Sequence, residues 1–136
     1  MTASAPSQRI PADRVKQLME RELATFVEMH PRSKEIHEGA SEALLSGVPM
    51  NWMTRWPGAF PVFFDRAKGN SLTDVDGNQL IDFCLGDTGA MTGHSPDPTV
   101  RAAQARLEKG ITTMLPSEDA LPLGEEMVRR FGLGHW

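Results

Sequence analysis

Residues 62–83 constrain the fold more than any other stretch. Apolar residues alternate with polar ones through Val62-Phe63-Phe64-Asp65-Arg66-Ala67, again through Ser71-Leu72-Thr73-Asp74-Val75, and again through Gln79-Leu80-Ile81-Asp82-Phe83. Lys68-Gly69-Asn70 and Asp76-Gly77 separate the three runs. A period of two, broken by glycine turns, predicts a three-strand antiparallel meander. A sheet this small has open edges, so it needs cover from more chain or from a partner.

Helical periodicity flanks the meander. Pro11 suits a first helical turn, and Val15, Leu18, Met19, Leu23, Phe26 and Val27 then recur on one face. His30-Pro31 should end that helix, because a residue before proline is pushed out of the α region. Ser33 is the expected cap of a second helix, with Ile36, Ala40, Ala43 and Leu44 on one side and Gly47 and Pro49 closing it. Residues 47–61 read as an irregular loop, and its Trp52 and Trp56 predict that it folds back over a surface. After the strands comes a glycine-punctuated loop, Gly86 to Pro96. A helix follows from Pro98 to Gly110, and a last one runs from Ser117-Glu118-Asp119-Ala120 to a stop at Gly132.

The expected organisation is therefore a disordered N-terminus at 1–10, N-terminal helices at 11–46, loop, meander and glycine loop at 47–95, and a helical segment at 96–136. By itself this is an α+β chain of narrow apolar faces, a poor closed core, so the 136 residues are expected to be incomplete as a folding unit.

Several function classes lose support. The 14 basic residues are scattered and the net charge is −4, so the basic stripe of a nucleic-acid binder is missing. No apolar run approaches the ~18 residues that cross a bilayer. One cysteine, Cys84, excludes an intrachain disulfide and a Cys-rich zinc site, and fits a reducing, cytoplasmic setting. It reads as a small buried apolar residue. No serine lies in a Gly-x-Ser-x-Gly setting, and no phosphate loop of the Walker or dinucleotide type is present.

Asp74-Val75-Asp76-Gly77-Asn78 begins like a calcium loop, but Gln79 stands where the sharp turn needs glycine and Leu85 where the bidentate carboxylate belongs. A tight hairpin whose Asp and Asn side chains bond their own backbone is preferred, and no metal site is expected. His94 stands alone in its loop, without a ligand partner at metal spacing. Asp82 and Asp87 read as solvated or backbone-capping carboxylates. Arg55, flanked by Trp52 and Trp56, reads either as a surface guanidinium stacked on an indole or as a carboxylate holder in a partly dry pocket.

Taken in order, Phe63 to Gly69, Leu72 to Phe83, Gly89 and Gly93-His94-Ser95-Pro96 resemble the N-terminal part of class-III aminotransferases. The likeness is to the glutamate-1-semialdehyde aminomutase and β-phenylalanine aminotransferase types, and runs from about Ser33 to Phe131. It implies an α/β enzyme of fold type I, dependent on pyridoxal 5'-phosphate, acting on an amino acid and keto-acid pair as a homodimer. In that family an arginine before the meander often holds the substrate carboxylate, which implicates Arg55. Thr88-Gly89-Ala90 matches a Trp-Gly-Pro wall of the substrate pocket, with Thr88 in place of the aromatic. Thr113 to Glu118, with Pro116 and Ser117, matches a loop that approaches the dimer-related active site.

The same chemistry needs a lysine Schiff base. Lys16, Lys34, Lys68 and Lys109 are the four lysines, and none stands in the family's lysine context. The family's phosphate loop would begin a few residues beyond Phe131. No residue of this chain is therefore assigned a catalytic role, and the chain is not expected to be active alone. The alternatives are a non-catalytic dimerisation or interaction module and, more remotely, a calcium-loop protein.

Overall fold

The computed structural model describes residues 10–136. The expected disordered N-terminus therefore lies, apart from Ile10, outside the described residues. The chain divides into two compact units, one ending at Pro96 and the other Asp97–Trp136. The first holds helices α1 (Ala12–Met29) and α2 (Pro31–Ala40), two short 3-10 turns (Leu45–Gly47 and Asn51–Arg55), and strands β1 (Phe64–Lys68), β2 (Ser71–Asp74) and β3 (Gln79–Ile81). The second holds α3 (Asp97–Leu107) and α4 (Ala120–Phe131).

The meander is present, in the order β1-β2-β3 and antiparallel throughout. Lys68 faces Ser71, and Thr73 faces Gln79. The strands are shorter than the alternation suggested. Val62 and Phe63 precede β1, and the register slips between Phe64 and Arg66. At the other end β3 stops at Ile81, because the Asp82 side chain turns to bind the amides of the following loop, and Phe83 is left 94% exposed.

The junction between α1 and α2 departs from expectation in an informative way. His30-Pro31 does end α1, but α2 begins at once on Pro31, whose missing N–H costs nothing at a first helical position. Ser33 is thus inside the first turn and is not the cap. Its hydroxyl oxygen instead accepts the Phe63 N–H at 3.1 Å. The cap comes from the hairpin turn 43 residues away: Asp76 Oδ1 accepts the Arg32 N–H at 2.6 Å and Oδ2 accepts the Ser33 N–H at 3.0 Å.

The rest of the turn serves the same joint. Asp74 Oδ1 accepts the Asp76 and Asn78 amides at 3.0 and 2.7 Å, the self-bonded turn that the sequence predicts. The Asn78 amide donates to Asp74 Oδ2 at 2.9 Å and to the Met29 carbonyl, an open acceptor at the end of α1, at 3.0 Å. His30 lies against both neighbours, Nδ1 at 2.7 Å from the Phe26 carbonyl and Nε2 at 3.4 Å from Asp74 Oδ2. The Asp74 and Asp76 carboxylate oxygens that suggested a calcium loop are engaged by donors.

Apart from Gly47, the buried residues among those described are the polar Ser33, Asp74, Thr73 and His30 and one hydrophobic, Val48. The α2 helix ends at Ala40, where the Ser41 hydroxyl donates back to the His37 carbonyl, so Ala43 and Leu44 fall in turns and not on its face. The 47–61 loop does return to α1, but not through its indoles, and Trp52 and Trp56 stay exposed. Phe60 meets Phe26 with ring centroids 5.0 Å apart, and Gly58 lies so close that an added Cβ would sit 2.7 Å from the Phe26 ring.

In the second unit, α4 ends on Gly132 in the left-handed conformation, its N–H bonded to the Val128 carbonyl at 2.8 Å. The α4 helix starts at Ala120, later than the Ser117 start predicted, with Asp119 preceding it. Arg129 and Arg130 both bind Glu126 and hold its carboxyl down to about 2. Leu121, Leu123 and Phe131 remain exposed.

Asp76 gives the joint a definite acid sensitivity. Desolvation pushes its carboxyl up, but the Arg32 and Ser33 amides, the Ser33 hydroxyl and the charge of His30 outweigh this and hold it below the ordinary aspartate value. A depressed carboxyl stabilises the fold above its unfolded value of about 3.9, and that contribution is lost as pH falls through the lower folded value. Asp76→Ala should lower the urea midpoint by the equivalent of about 1 kcal/mol at neutral pH. Asp76→Asn should flatten the stability-versus-pH curve below about pH 4. A wild-type pH profile in that variant contradicts the assignment.

Candidate functional site

The residues singled out from sequence fall in three places. Arg55 is the last residue of the Asn51–Arg55 turn, which is fastened by the Met53 N–H to Met50 carbonyl bond and by the Thr54 hydroxyl donating to the Asn51 carbonyl. The side chain is exposed, with no ion-pair partner among the described residues. Next to this turn lies an open cavity of about 340 Å³, walled by His37, Ser41, Ser46, Thr54 and the 58–61 segment. Its floor is a tight turn in which Ser46 and Gly47 are both left-handed, with the Ser46 carbonyl 3.1 Å from His37 Nε2. Glycine is favoured there by its φ of 66°, and a Cβ would stand 2.6 Å from the His37 ring, which would have to shift.

Thr88, Gly89 and Ala90 form the crown of the loop between β3 and α3. Thr88 and Gly89 are exposed and Ala90 half-buried. The loop is shaped by Gly89 N–H to Gly86 carbonyl, Ala90 N–H to Leu85 carbonyl and Gly93 N–H to Ala90 carbonyl bonds of 3.1, 2.9 and 2.8 Å. Among the described residues, no hydrogen bond or ion pair joins Arg55 to this crown. Pro116 and Ser117 belong to the second unit, where the Ser117 hydroxyl donates to Asp119 Oδ2 at 3.0 Å.

The sequence reads Asp82 and Asp87 as solvated or backbone-capping carboxylates and leaves His94 alone. The structure pairs Asp82 with His94: Oδ2 and Nε2 are 2.6 Å apart, both half-buried. Asp82 Oδ1 also caps the Cys84 and Leu85 amides. His94 first, then the Leu85 and Cys84 amides, hold the Asp82 carboxyl below its ordinary value. Asp87 Oδ1 lies 3.7 Å from the Cys84 thiol. Cys84 itself is exposed, not buried, because the chain has already left the sheet at Ile81. The available signal was a strand-ending Asp and a Gly-His bracketing one loop, but their 12-residue separation matches no helical or strand period.

The lysines do not build a cofactor cradle among the described residues. Lys16 and Lys34 lie along exposed helix faces near Glu20 and Glu38, and Lys68 Nζ donates to the Ser95 carbonyl at 2.7 Å. Lys109 borders an open, charged hollow with Arg106, Glu118 and Asp119. The cavity beside Arg55 has no lysine in its wall. The described residues do not by themselves fit pyridoxal phosphate.

Comparison with known proteins places this geometry in context. No family model matches the chain. A glutamate-1-semialdehyde 2,1-aminomutase of Methanocaldococcus jannaschii is 37% identical over 99 residues, which are 73% of this chain and 23% of that protein. The crystal structure of a glutamate-1-semialdehyde aminomutase from Pseudomonas aeruginosa PAO1 matches with a TM-score of 0.84 and 43% identity, over 93% of this chain and 28% of that one. A β-phenylalanine aminotransferase from Variovorax paradoxus shares the fold, with a TM-score of 0.75 at 21% identity over 87% of this chain. The chain thus spans about a quarter of the length of the relatives it matches. Sequence and fold agree in matching the chain to an N-terminal portion of proteins named glutamate-1-semialdehyde 2,1-aminomutase, with structural neighbours among the class-III pyridoxal-phosphate aminotransferases.

Proposed function

We propose that this chain forms the substrate-facing N-terminal part of an enzyme that moves an amino group between an amino acid, or an amino-keto acid, and a keto partner. The observation that carries this reading is the match to the Pseudomonas aeruginosa aminomutase, 43% identical over nearly the whole chain. A second aminomutase structure of that organism was solved in complex with PMP, the amino form of the cofactor. In the complete enzyme, pyridoxal phosphate supplies the amino-transfer chemistry, and parts of the protein other than the described residues hold it.

This chain's own contribution is recognition and enclosure. Arg55, exposed on a short rigid turn, offers a guanidinium fork to a substrate carboxylate. Thr88, Gly89 and Ala90 line the substrate pocket. Pro116 and Ser117 lie near the active site of a second copy in a homodimer. The 11–46, 47–95 and 96–136 segments act as cover, substrate wall and start of the large domain, in a cytoplasmic enzyme. The many exposed apolar side chains, among them Leu23 and Val27 of α1, are in keeping with surfaces made to be covered.

Two measurements test this. The complete coding region containing these residues should yield a protein that takes up pyridoxal phosphate, seen as visible absorbance lost on borohydride treatment. Failure to bind the cofactor, with a cooperative melt and stable oligomer of the 136 residues alone, favours the dimerisation module instead. In the complete enzyme, Arg55→Ala should raise KM for the carboxylate substrate roughly tenfold to a hundredfold, the worth of one charged hydrogen bond. An unchanged KM removes Arg55 from the pocket.

A further inference from the structure

The loop between β3 and α3 is held in an unfavourable conformation. Leu85, Gly86 and Asp87 stand in succession at φ of 50°, 60° and 58°, and two of them are not glycine. Left-handed backbone at such residues persists only where the surroundings over-determine it. Among the described residues, the bonds inside the loop are few and short in range, so the constraint has to come from its neck.

The neck is built around one carboxylate. The Asp82 N–H still pairs with the Asn70 carbonyl at 2.8 Å, which anchors it to the sheet. Its Oδ1 accepts the Cys84 and Leu85 amides at 2.8 and 2.9 Å, fixing the outgoing strand of the loop. Its Oδ2 takes His94 Nε2 at 2.6 Å, fixing the returning strand. The backbone of His94 is itself tied to Gly69, N–H to carbonyl in both directions, at 2.7 and 2.9 Å. Gly93, at φ +87°, lets the return pass close to the turn between β1 and β2, where a Cβ would lie 3.1 Å from Gly69 Cα.

We infer that Asp82 and His94 are a positioning pair: they clamp the two ends of the 83–93 loop together and so set where Thr88, Gly89 and Ala90 stand in the substrate pocket. This rests on the reading of those three residues as a substrate wall. Neither Asp82 nor His94 touches substrate in this role. Their effect passes through the loop backbone.

The test separates the clamp from the wall. In the full chain, Asp82→Ala and His94→Ala should each speed hydrogen exchange at the Ala90 and Gly93 amides by about tenfold or more, since neither amide bonds the deleted side chain. Asp82→Asn and His94→Gln can still donate or accept across the neck and should rescue most of the protection. If the alanine variants do not fold, His94→Phe carries the test: it keeps a ring in place but cannot bond Asp82, and should speed the same exchange. In the complete, cofactor-loaded enzyme, the alanine variants should raise KM with kcat changed by less than about twofold. Unchanged exchange in every variant overturns the clamp. Faster exchange with unchanged KM also overturns the inference, and Thr88→Ala then shows why. If Thr88→Ala raises KM, the wall reading stands and only the positioning role falls. If it too leaves KM unchanged, the wall reading falls as well.

Discussion

The hairpin turn at Asp74-Val75-Asp76-Gly77-Asn78 is the hinge on which the first unit depends. Two helices meet at His30-Pro31 with open amides on one side and open carbonyls on the other. Helix ends of this kind must find partners, because a buried unpaired backbone group costs about as much as a lost hydrogen bond. Asp76 takes the amides of α2, Asn78 supplies a donor to α1, and Asp74 holds both in place while lying 2% exposed. One five-residue turn thereby joins the sheet to both helices.

This joint explains why the unit is ordered with so little apolar burial. Val48 is its one buried hydrophobic among the described residues, whereas Ser33, Thr73, Asp74 and His30 form a polar centre whose groups find partners. A polar centre specifies geometry well, because each member has a required partner and direction. It supplies less net stability than apolar burial of the same area. Val15, Met19, Leu23 and Val27 of α1 and the strand residues Phe64, Leu80 and Ile81 stay exposed, so they add little apolar burial to this unit.

The same economy recurs at the second turn-bearing segment. Asp82 ends a strand, caps two amides and pairs with His94, so one side chain stops the sheet and shapes the loop that follows. In both places an aspartate just beyond or within the meander reaches backbone elsewhere, and in both its carboxyl is held below the ordinary range by the donors around it. The meander is thus less a core than a frame that carries two carboxylate clasps. One orients the helices, and the other orients the loop proposed to meet substrate.

Local periodicity was enough to place the meander, its Asp-Gly turn, the proline break between α1 and α2, and the glycine stop of α4. Each of these is decided by φ/ψ preferences and by neighbours two to four residues apart. The ordered motifs likewise carried the family likeness. The cap of α2, the pairing of Asp82 with His94 and the exposure of Cys84, Trp52 and Trp56 were settled elsewhere. Ser33 looked like a cap because a serine before a helix usually is one. It lost that role when an aspartate 43 positions away arrived at the same amides with two oxygens and a full charge. Pairings over 12 or 43 residues leave no period in the chain, and only the folded arrangement of strands and turns brings those groups within hydrogen-bond reach.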